Sequence, residues 1–167
     1  MRTYIRQQFV DVINEHFGMP DVIAGVATGG IAMGVLVAQD LGLPFAYVRS
    51  SAKGHGLQNM IEGMVEEGQT VLVIEDLVST GKSSLAAVDA LRAAGMSVKG
   101  MIAIFTYGFD VSVQSFKEAN VELKTLTDYN TLIQQALNSN YINEEQVTSL
   151  SEWREAPQIW GDKIQNP

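Results

Sequence analysis

The fold is decided by residues 71–84, which read VLVIEDLVSTGKSS. Four apolar and mostly β-branched residues, Val71–Ile74, are typical of a buried parallel strand, which forms an unbroken apolar run. Two acids, Glu75 and Asp76, follow, and a short turn rich in Ser, Thr and Gly then leads into a helical pattern over residues 85–94. The stretch therefore predicts a strand, a charged edge and a loop that feeds the start of a helix.

The loop of this stretch has the chemistry of a phosphate site. Open α/β sheets bind ligands at the carboxyl ends of their strands, and a helix N-terminus at that place offers free N–H groups and a positive dipole end. Gly81 lets the backbone approach an anion closely. Hydroxyl donors come from Ser79, Thr80, Ser83 and Ser84. Phosphate is therefore the expected ligand of the loop.

A nucleoside triphosphate does not fit the same stretch. The phosphate-binding loop of ATPases requires G-x-x-x-x-G-K-[ST], and Asp76 stands at the position of its first glycine. Two adjacent acids would repel a triphosphate, whereas they can accept hydrogen bonds from vicinal hydroxyls. A phosphorylated ribose satisfies both halves of the stretch, although an acid pair at a strand end can also arise by chance in a sheet of this type.

Composition limits the class of protein. The chain has 167 residues, 46% hydrophobic and 18% charged, which is ordinary for one globular domain with a sizeable core. It has no cysteine, which excludes disulfides, thiol nucleophiles and zinc–thiolate sites. The net charge of −8 argues against a general nucleic-acid surface. With no apolar run of about 18 residues and no signal-peptide pattern, we expect a cytoplasmic protein that binds neither nucleic acid nor membrane.

Strand and helix patterns alternate along the chain. The predicted strands are residues 22–27, 45–48, 71–74, 98–105 and 121–126, and the predicted helices are residues 2–17, about 30–41, 85–94, about 110–119 and 128–137. This alternation predicts a Rossmann-like, doubly wound and mainly parallel sheet. We expect a core domain over residues 1–140, with residues 141–167 as a short helix and tail on the same domain. Trp153 and Trp160 in that segment suggest buried packing or a subunit contact.

Two further segments are candidates for the same site. Thr28-Gly29-Gly30 ends the first strand and opens a helix, but a plain tight turn reads the same, and Ile31 breaks the dinucleotide fingerprint G-x-G-x-x-G. Residues 50–63 show no strand or helix period, so we expect a long mobile loop, and such loops often act as lids. The bases in and before it are Arg49, Lys53 and His55, for which a solvated basic loop is the plainer interpretation.

The string V-L-V-I-E-D-L-V-S-T-G-K-S resembles the phosphoribosyl pyrophosphate (PRPP) signature of the type I phosphoribosyltransferases. The resemblance implies that the acid pair meets the 2′ and 3′ hydroxyls of the ribose and that the following loop holds the 5′-phosphate. The string A-T-G-G-I at residues 27–31 is similar to the loop that lies under the pyrophosphate in this family. The PRPP-binding residues implied in this way are Arg49, Lys53, His55, Glu75, Asp76, Leu77, Val78, Ser79, Thr80, Gly81, Lys82, Ser83, Thr28 and Gly29.

The loop string R-S-S-A-K-G-H-G, residues 49–56, is similar to the catalytic loop of the orotate phosphoribosyltransferases. The whole resemblance covers roughly residues 2–138 and implies a glycosyltransferase that moves the phosphoribosyl group from PRPP to orotate in UMP biosynthesis. It further implies Mg²⁺ held mainly through PRPP, with no dedicated protein ligands, and a homodimer with residues 50–63 near the neighbouring active site. The catalytic residues implied are Lys53, His55, Arg49 and Asp76, and Ser79 is implied in binding orotate.

The sequence departs from this family at several places: Ser50 stands where several orotate enzymes have a second base, the turn at residues 28–30 lacks the lysine that some members carry, and two departures concern the base pocket. Family members often carry an arginine that contacts the base carboxylate in the turn after the penultimate strand, and residues 107–110 contain none. Members also have an N-terminal hood segment before the first helix, where this chain starts, so we expect it to bind PRPP but to transfer slowly. The alternatives are another type I transferase, acting on a purine or uracil, and a non-catalytic PRPP-sensing regulator that binds RNA.

Lys53 offers a test of the catalytic loop. The Lys53→Ala variant is expected to lower kcat by about tenfold or more, or about 1.4 kcal/mol of barrier, because its charge would neutralise the leaving pyrophosphate once the loop has closed. PRPP binding should change little. Steady-state turnover and calorimetric titration with PRPP measure the two effects, and unchanged turnover would remove Lys53 from the chemistry.

Overall fold

A six-stranded sheet forms the centre of the computed structural model, which describes residues 1–49 and 60–160. The strands are β1 (Val22–Val26), β2 (Phe45–Val48), β3 (Ile61–Glu62), β4 (Thr70–Val78), β5 (Ser97–Thr106) and β6 (Leu123–Asp128). Their order across the sheet is β3-β2-β1-β4-β5-β6. Neighbouring strands run parallel except β3, which pairs with β2 in the antiparallel sense.

Helices connect the strands and cover the sheet. They are α1 (Arg2–Val12), which continues as a π-helical turn over Ile13–Phe17, α2 (Gly29–Leu41), α3 (Lys82–Ala93), α4 (Asp110–Glu118), α5 (Tyr129–Asn138) and α6 (Glu144–Glu155). Among the helices of the described ranges, none has both the length and the apolar character needed to cross a bilayer.

The core lies in two layers, one on each face of the sheet. Side chains alternate between the faces along a strand, so Leu72 and Ile74 of β4 pack with residues of α1 and α2, whereas Val71 and Val73 pack with residues of α3 and α4. All four β4 side chains are fully buried. Helices on both faces of a mainly parallel sheet make the doubly wound architecture, which confirms the predicted fold class.

The chain changes direction across the sheet between β1 and β4. From β1 it passes outward to β2 and β3, and from β4 it passes to β5 and β6 on the other side. In open α/β sheets a crevice forms outside the carboxyl ends of the strands at such a switch point, because the connections on the two sides lead away from each other. The turn after β1 and the acid pair of β4 both lie at this edge.

The end of β4 differs from the prediction. The acids do not follow the strand but belong to it, since β4 runs on to Val78 by pairing with the long β5, in which Leu77 faces Phe105 and Val78 faces Thr106. The helix after the loop starts at Lys82 rather than at residue 85. The polar residues at its start follow the loop directly, and an apolar pattern alone does not detect them.

The loop predicted over residues 50–63 is also shorter than expected at its C-terminal end. Ile61 and Glu62 pair with Val48 and Tyr47 as the edge strand β3. The Arg49 N–H donates to the carbonyl of Met60 at 2.8 Å, which extends this pairing by one step. A two-residue strand is too short to show a period, so the sequence pattern missed it. Residues 50–59 lie outside the described residues.

Leu72 tests the central strand. The Leu72→Ala variant should lower the free energy of unfolding by about 2–5 kcal/mol, because it leaves a cavity at a fully buried position between the sheet and two helices. The same change at Leu132, which is 50% exposed, should cost about 1 kcal/mol or less. Urea unfolding of both variants measures the difference, and equal losses would contradict this description of the core.

Candidate active site

The two acids of β4 point to opposite sides of the strand and have different environments. Glu75 is only 4% exposed, whereas Asp76 lies at the surface of the crevice. This difference follows from strand geometry, because consecutive side chains point to opposite faces. The acid pair therefore combines one interior carboxyl group and one solvent-facing carboxylate.

Glu75 ties β4 to the start of α3. The Ser84 hydroxyl donates to Glu75 Oε2 at 3.0 Å, and the Asp76 N–H donates to Glu75 Oε1 at 3.0 Å. Burial, reinforced by the side chain of Asp76, raises the pKa of Glu75 to about 8. At neutral pH the carboxyl group is therefore mainly protonated, and its contacts hold the strand against the helix.

Asp76 faces the turn after β1. Its Oδ1 accepts a hydrogen bond from the Leu77 N–H at 2.9 Å, and a side chain at Gly29 would collide with its carboxylate. A side chain at Gly30 would likewise collide with the carbonyl of Ile74. Thr28 and Gly29 are exposed at this place, and the Ala27–Thr28 peptide is cis. The structure thus brings together Asp76 and the predicted pyrophosphate turn.

The predicted phosphate loop forms the next part of the crevice. It lines an open cavity of about 490 Å³ with residues of β4 and α3 on either side. Gly81 adopts a left-handed conformation with φ of 81°, and a side chain there would press on the ring of Phe116 at 2.8 Å. The lining includes Ser79, Thr80 and Gly81 of the loop, and Lys82 and Ser83 of the first turn of α3.

The N-terminus of α3 is open to an anion. No side chain among the described residues caps it, and its first turn carries no acid. The first N–H groups of a helix have no partner within the helix, so they and the positive dipole end favour a negative charge. Ser79 and the rest of the loop therefore surround a place suited to a phosphate, as the sequence predicts.

Arg49 lies beside the turn that follows β1. The Ala27 N–H donates to the Val48 carbonyl at 2.8 Å, so Arg49, the next residue, emerges next to Thr28. Its guanidinium lies 3.4 Å from Glu62 Oε1 across the β2–β3 pair. Lys53 and His55 belong to the segment outside the described residues, so the structure places only Arg49 of the three predicted bases.

The sequence interpretation missed a cluster of aromatic side chains beside the phosphate loop. The rings of Tyr107 and Phe109 stack with centroids 5.4 Å apart, and Trp153 of α6 packs edge-on against Tyr107 at 5.5 Å. An apolar cavity of about 610 Å³ adjoins them, lined in part by Leu77 and Trp160. Trp153 is half-buried and packs against rings of its own chain.

Arg154 was also missed. Its Nε donates to the Tyr107 carbonyl at 2.9 Å and its Nη2 to the Gly108 carbonyl at 2.7 Å. These contacts span 47 and 46 residues of sequence, and no periodicity or motif connects such distant positions. A lone arginine near the end of a helix reads as a surface charge, so no sequence signal could have placed it.

Comparison with known proteins decides the family. The profile of the phosphoribosyl transferase domain matches residues 5–140. The orotate phosphoribosyltransferase of Phocaeicola vulgatus is 52% identical over 160 residues, which cover 96% of this chain and 76% of that protein. The enzyme of the same name from Porphyromonas gingivalis is 52% identical over 161 residues, or 96% of this chain and 77% of that protein. The chain belongs to the orotate phosphoribosyltransferase family.

A solved structure of an orotate phosphoribosyltransferase agrees with this assignment. The crystal structure from Aeropyrum pernix superposes with a TM-score of 0.72 at 26% identity, over 80% of this chain and 74% of that one. The family resemblance and the fold predicted from residues 71–84 are therefore confirmed. As a family member the chain is a glycosyltransferase, and the crevice at the carboxyl ends of β1 and β4 is its candidate active site.

The raised pKa of Glu75 predicts how stability depends on pH. The folded state binds more protons than the unfolded state between the ordinary pKa of 4.5 and the folded value of about 8. The contribution of Glu75 to the free energy of unfolding is therefore largest below about pH 4.5 and is lost as the pH rises through about 8. The Glu75→Gln variant keeps the size and shape of the side chain but has no ionisable group. Relative to the wild type, this variant should gain about 1 kcal/mol or more between about pH 5 and pH 8.5.

Urea unfolding of both proteins at several pH values measures this gain. Glu145→Gln, at an exposed position in α6, is the matched control and should follow the wild type at every pH. Parallel curves for Glu75→Gln and the wild type would show that the buried carboxyl group does not titrate in this range.

Proposed function

We propose that the chain transfers the 5-phosphoribosyl group of PRPP to orotate, producing orotidine 5′-phosphate and pyrophosphate as a step of pyrimidine biosynthesis. The observation that carries this proposal is the position of Asp76, which lies against the Thr28–Gly29 turn and is followed, at the end of β4, by the loop that lines an open cavity. The three parts match the three parts of PRPP, which are a ribose, a pyrophosphate and a 5′-phosphate. Relatives that are about half identical and bear the name orotate phosphoribosyltransferase support orotate as the base.

The placement of PRPP follows from the charges. The 5′-phosphate would bind the free N–H groups at the start of α3 and the hydroxyls of Ser79, Thr80 and Ser83. The ribose hydroxyls would donate to Asp76, which is exposed, while Glu75 stays behind it as the buried anchor of the strand. The pyrophosphate would lie over Thr28 and Gly29 with Arg49 nearby. In an acidic chain with a net charge of −8, these local donors overcome the general repulsion of an anion.

Mg²⁺ fits this arrangement. Carboxylate and phosphate oxygens are the ligands it prefers, and Asp76 offers an exposed carboxylate beside the turn proposed for the pyrophosphate. PRPP itself would supply most of the ligands of the Mg²⁺ ion. When bound, Mg²⁺ would act as a Lewis acid that neutralises charge on the diphosphate.

The reaction needs orientation and charge stabilisation. The proton on the attacking ring nitrogen of orotate is lost as the new C–N bond forms, and the oxygens of the departing pyrophosphate can accept it. Fixing the 5′-phosphate in the loop aligns the anomeric carbon for attack by the ring nitrogen of orotate, an effect of orientation. Asp76, an exposed carboxylate, would stabilise positive charge on the ribose as the bond to pyrophosphate breaks. Arg49, with Lys53 and His55 from the loop, would stabilise the departing pyrophosphate in a site closed to water. Ser79, in the phosphate loop, would contact the base.

The domain division, the oligomeric state and the location of the protein are expectations. The Tyr129 hydroxyl donates to the Leu150 carbonyl at 3.1 Å, so α6 packs on the sheet domain. This contact supports a core over residues 1–140 with the C-terminal segment as part of the same domain. We also expect a homodimer in which residues 50–63 reach towards the neighbouring site. A cytoplasmic location remains an expectation from the sequence.

A base panel tests the proposed activity. The protein with PRPP and Mg²⁺ should consume orotate, measured as loss of its absorbance, and should leave hypoxanthine, adenine, xanthine and uracil unused. Asp76→Asn should lower kcat/KM for PRPP by about tenfold or more, or about 1.4 kcal/mol, because the ribose hydroxyls lose a charged acceptor. The matched control is Asp89→Asn, at an exposed position in α3, which should retain activity.

Two results would overturn the proposal. Use of a purine or uracil in place of orotate would assign the chain a different base, and binding of PRPP with no transfer to any base would favour the regulator. Equal activity of the Asp76→Asn and Asp89→Asn variants would remove Asp76 from the ribose site.

A further inference from the structure

We infer that Arg154 of α6 is a positioning residue for the phosphate loop, acting through the turn that follows β5. Its role in binding PRPP rests on the proposed function, whereas the mechanical link between α6 and the loop rests on the hydrogen bonds alone. Arg154 touches neither the acid pair nor the Thr28–Gly29 turn in the contacts of the described residues, so its effect would be indirect.

The guanidinium of Arg154 grips two consecutive carbonyls. Nε donates to Tyr107 at 2.9 Å and Nη2 to Gly108 at 2.7 Å, which uses the planar fork of the side chain. Hydrogen bonds from a charged donor are roughly twice as strong as neutral ones. Gly108 has φ of 63°, and a side chain there would lie 3.1 Å from Arg154 Nη2, so the turn is shaped to receive the arginine.

The turn after β5 is also hydrogen-bonded to Val78, the last residue before the phosphate loop. The Gly108 N–H donates to the Thr106 hydroxyl at 3.0 Å, and that hydroxyl donates to the Val78 carbonyl at 3.2 Å. The Tyr107 N–H donates to the same carbonyl at 3.1 Å. Val78 is followed directly by Ser79, the first residue of the phosphate loop. A continuous set of hydrogen bonds therefore joins Arg154 to Val78, where the phosphate loop begins.

A cavity brings the three segments together. It has a volume of about 500 Å³, and its lining includes Thr80 of the loop, Gly108 of the turn and Arg154 of the helix. The helix itself is well held at both ends. Asn143 and Gln146 form a reciprocal capping box at its start, and Trp153 packs on Tyr107 next to the arginine. These contacts hold Arg154 in place. A shift of about 1 Å in a group that positions a substrate can lower the reaction rate by about 100-fold.

Arg92 supplies a matched control. It also donates to two backbone carbonyls, those of Ala119 at 2.9 Å and Asn120 at 3.3 Å. α3 starts at the phosphate loop, and Arg92 lies in its last turn. Its contacts are therefore at the far end of the helix from the loop, near the amino ends of the strands. Arg92→Ala removes the same kind of contact as Arg154→Ala without disturbing the loop.

Hydrogen–deuterium exchange of the full chain tests the link without relying on activity. In Arg154→Ala, the hydrogen-bonded amides of Tyr107, Gly108 and Leu85 should exchange about tenfold faster than in Arg92→Ala or the wild type, because local opening becomes easier. These amides donate to the Val78 carbonyl, the Thr106 hydroxyl and the Gly81 carbonyl, so they report on the turn after β5 and on the end of the phosphate loop. Arg154→Lys keeps the charge but loses the fork, and it should show a smaller increase. If Arg154→Ala does not fold, the lysine variant carries the same comparison. Exchange at Leu85, whose N–H donates to the Gly81 carbonyl at 2.8 Å, that matches the Arg92→Ala variant would overturn the inference.

Kinetics provide a second reading that a general loss of stability would not produce. The KM for PRPP should rise by about tenfold in Arg154→Ala. The KM for orotate should rise much less, since the loop would hold the phosphate of PRPP through several groups and orotate through Ser79 alone. An equal rise in both constants would overturn the positioning role. If the wild type transfers to no base, the proposed function fails, and the exchange comparison still decides the inference.

Discussion

The active-site crevice depends on the close approach of the turn after β1 to the end of β4, which only glycine permits. A side chain at Gly30 would strike the carbonyl of Ile74, and one at Gly29 would strike the carboxylate of Asp76. With both side chains absent, the start of α2 lies directly against the neighbouring strand. Asp76 thereby lies against the turn after β1, and the loop that follows β4 begins close to it in the chain.

The acid pair shows how one short sequence can serve structure and chemistry at once. Glu75 points inward, accepts hydrogen bonds from Ser84 and from the Asp76 N–H, and has a raised pKa. Asp76 points outward into the crevice. Because the first group is mainly neutral at neutral pH, the site does not hold two full negative charges side by side. That reduces the repulsion which a bound diphosphate would otherwise meet.

The sequence was sufficient for the fold and for those parts of the site that are local in the chain. The unbroken apolar run of Val71–Ile74 predicted a central parallel strand, and the turn at Ser79–Ser83 predicted a phosphate loop before a helix, because both patterns are contained in a few adjacent residues. The edge strand β3 was too short for a periodic signal. Arg154 could not be found, since its partners are 46 and 47 residues away and backbone carbonyls have no sequence signature. Local chemistry could thus be read from the sequence, and contacts between distant segments could not.

The contact between Arg154 and Tyr107 has a consequence for the order in which the protein is made. A ribosome adds roughly 5–20 residues per second, so the 47 residues between them correspond to roughly 2–10 s of synthesis. During that interval β5 and the turn after it can already have left the ribosome while their clamp has not been translated. The residue that braces the turn is therefore translated after every strand of the described sheet, since β6 ends at Asp128.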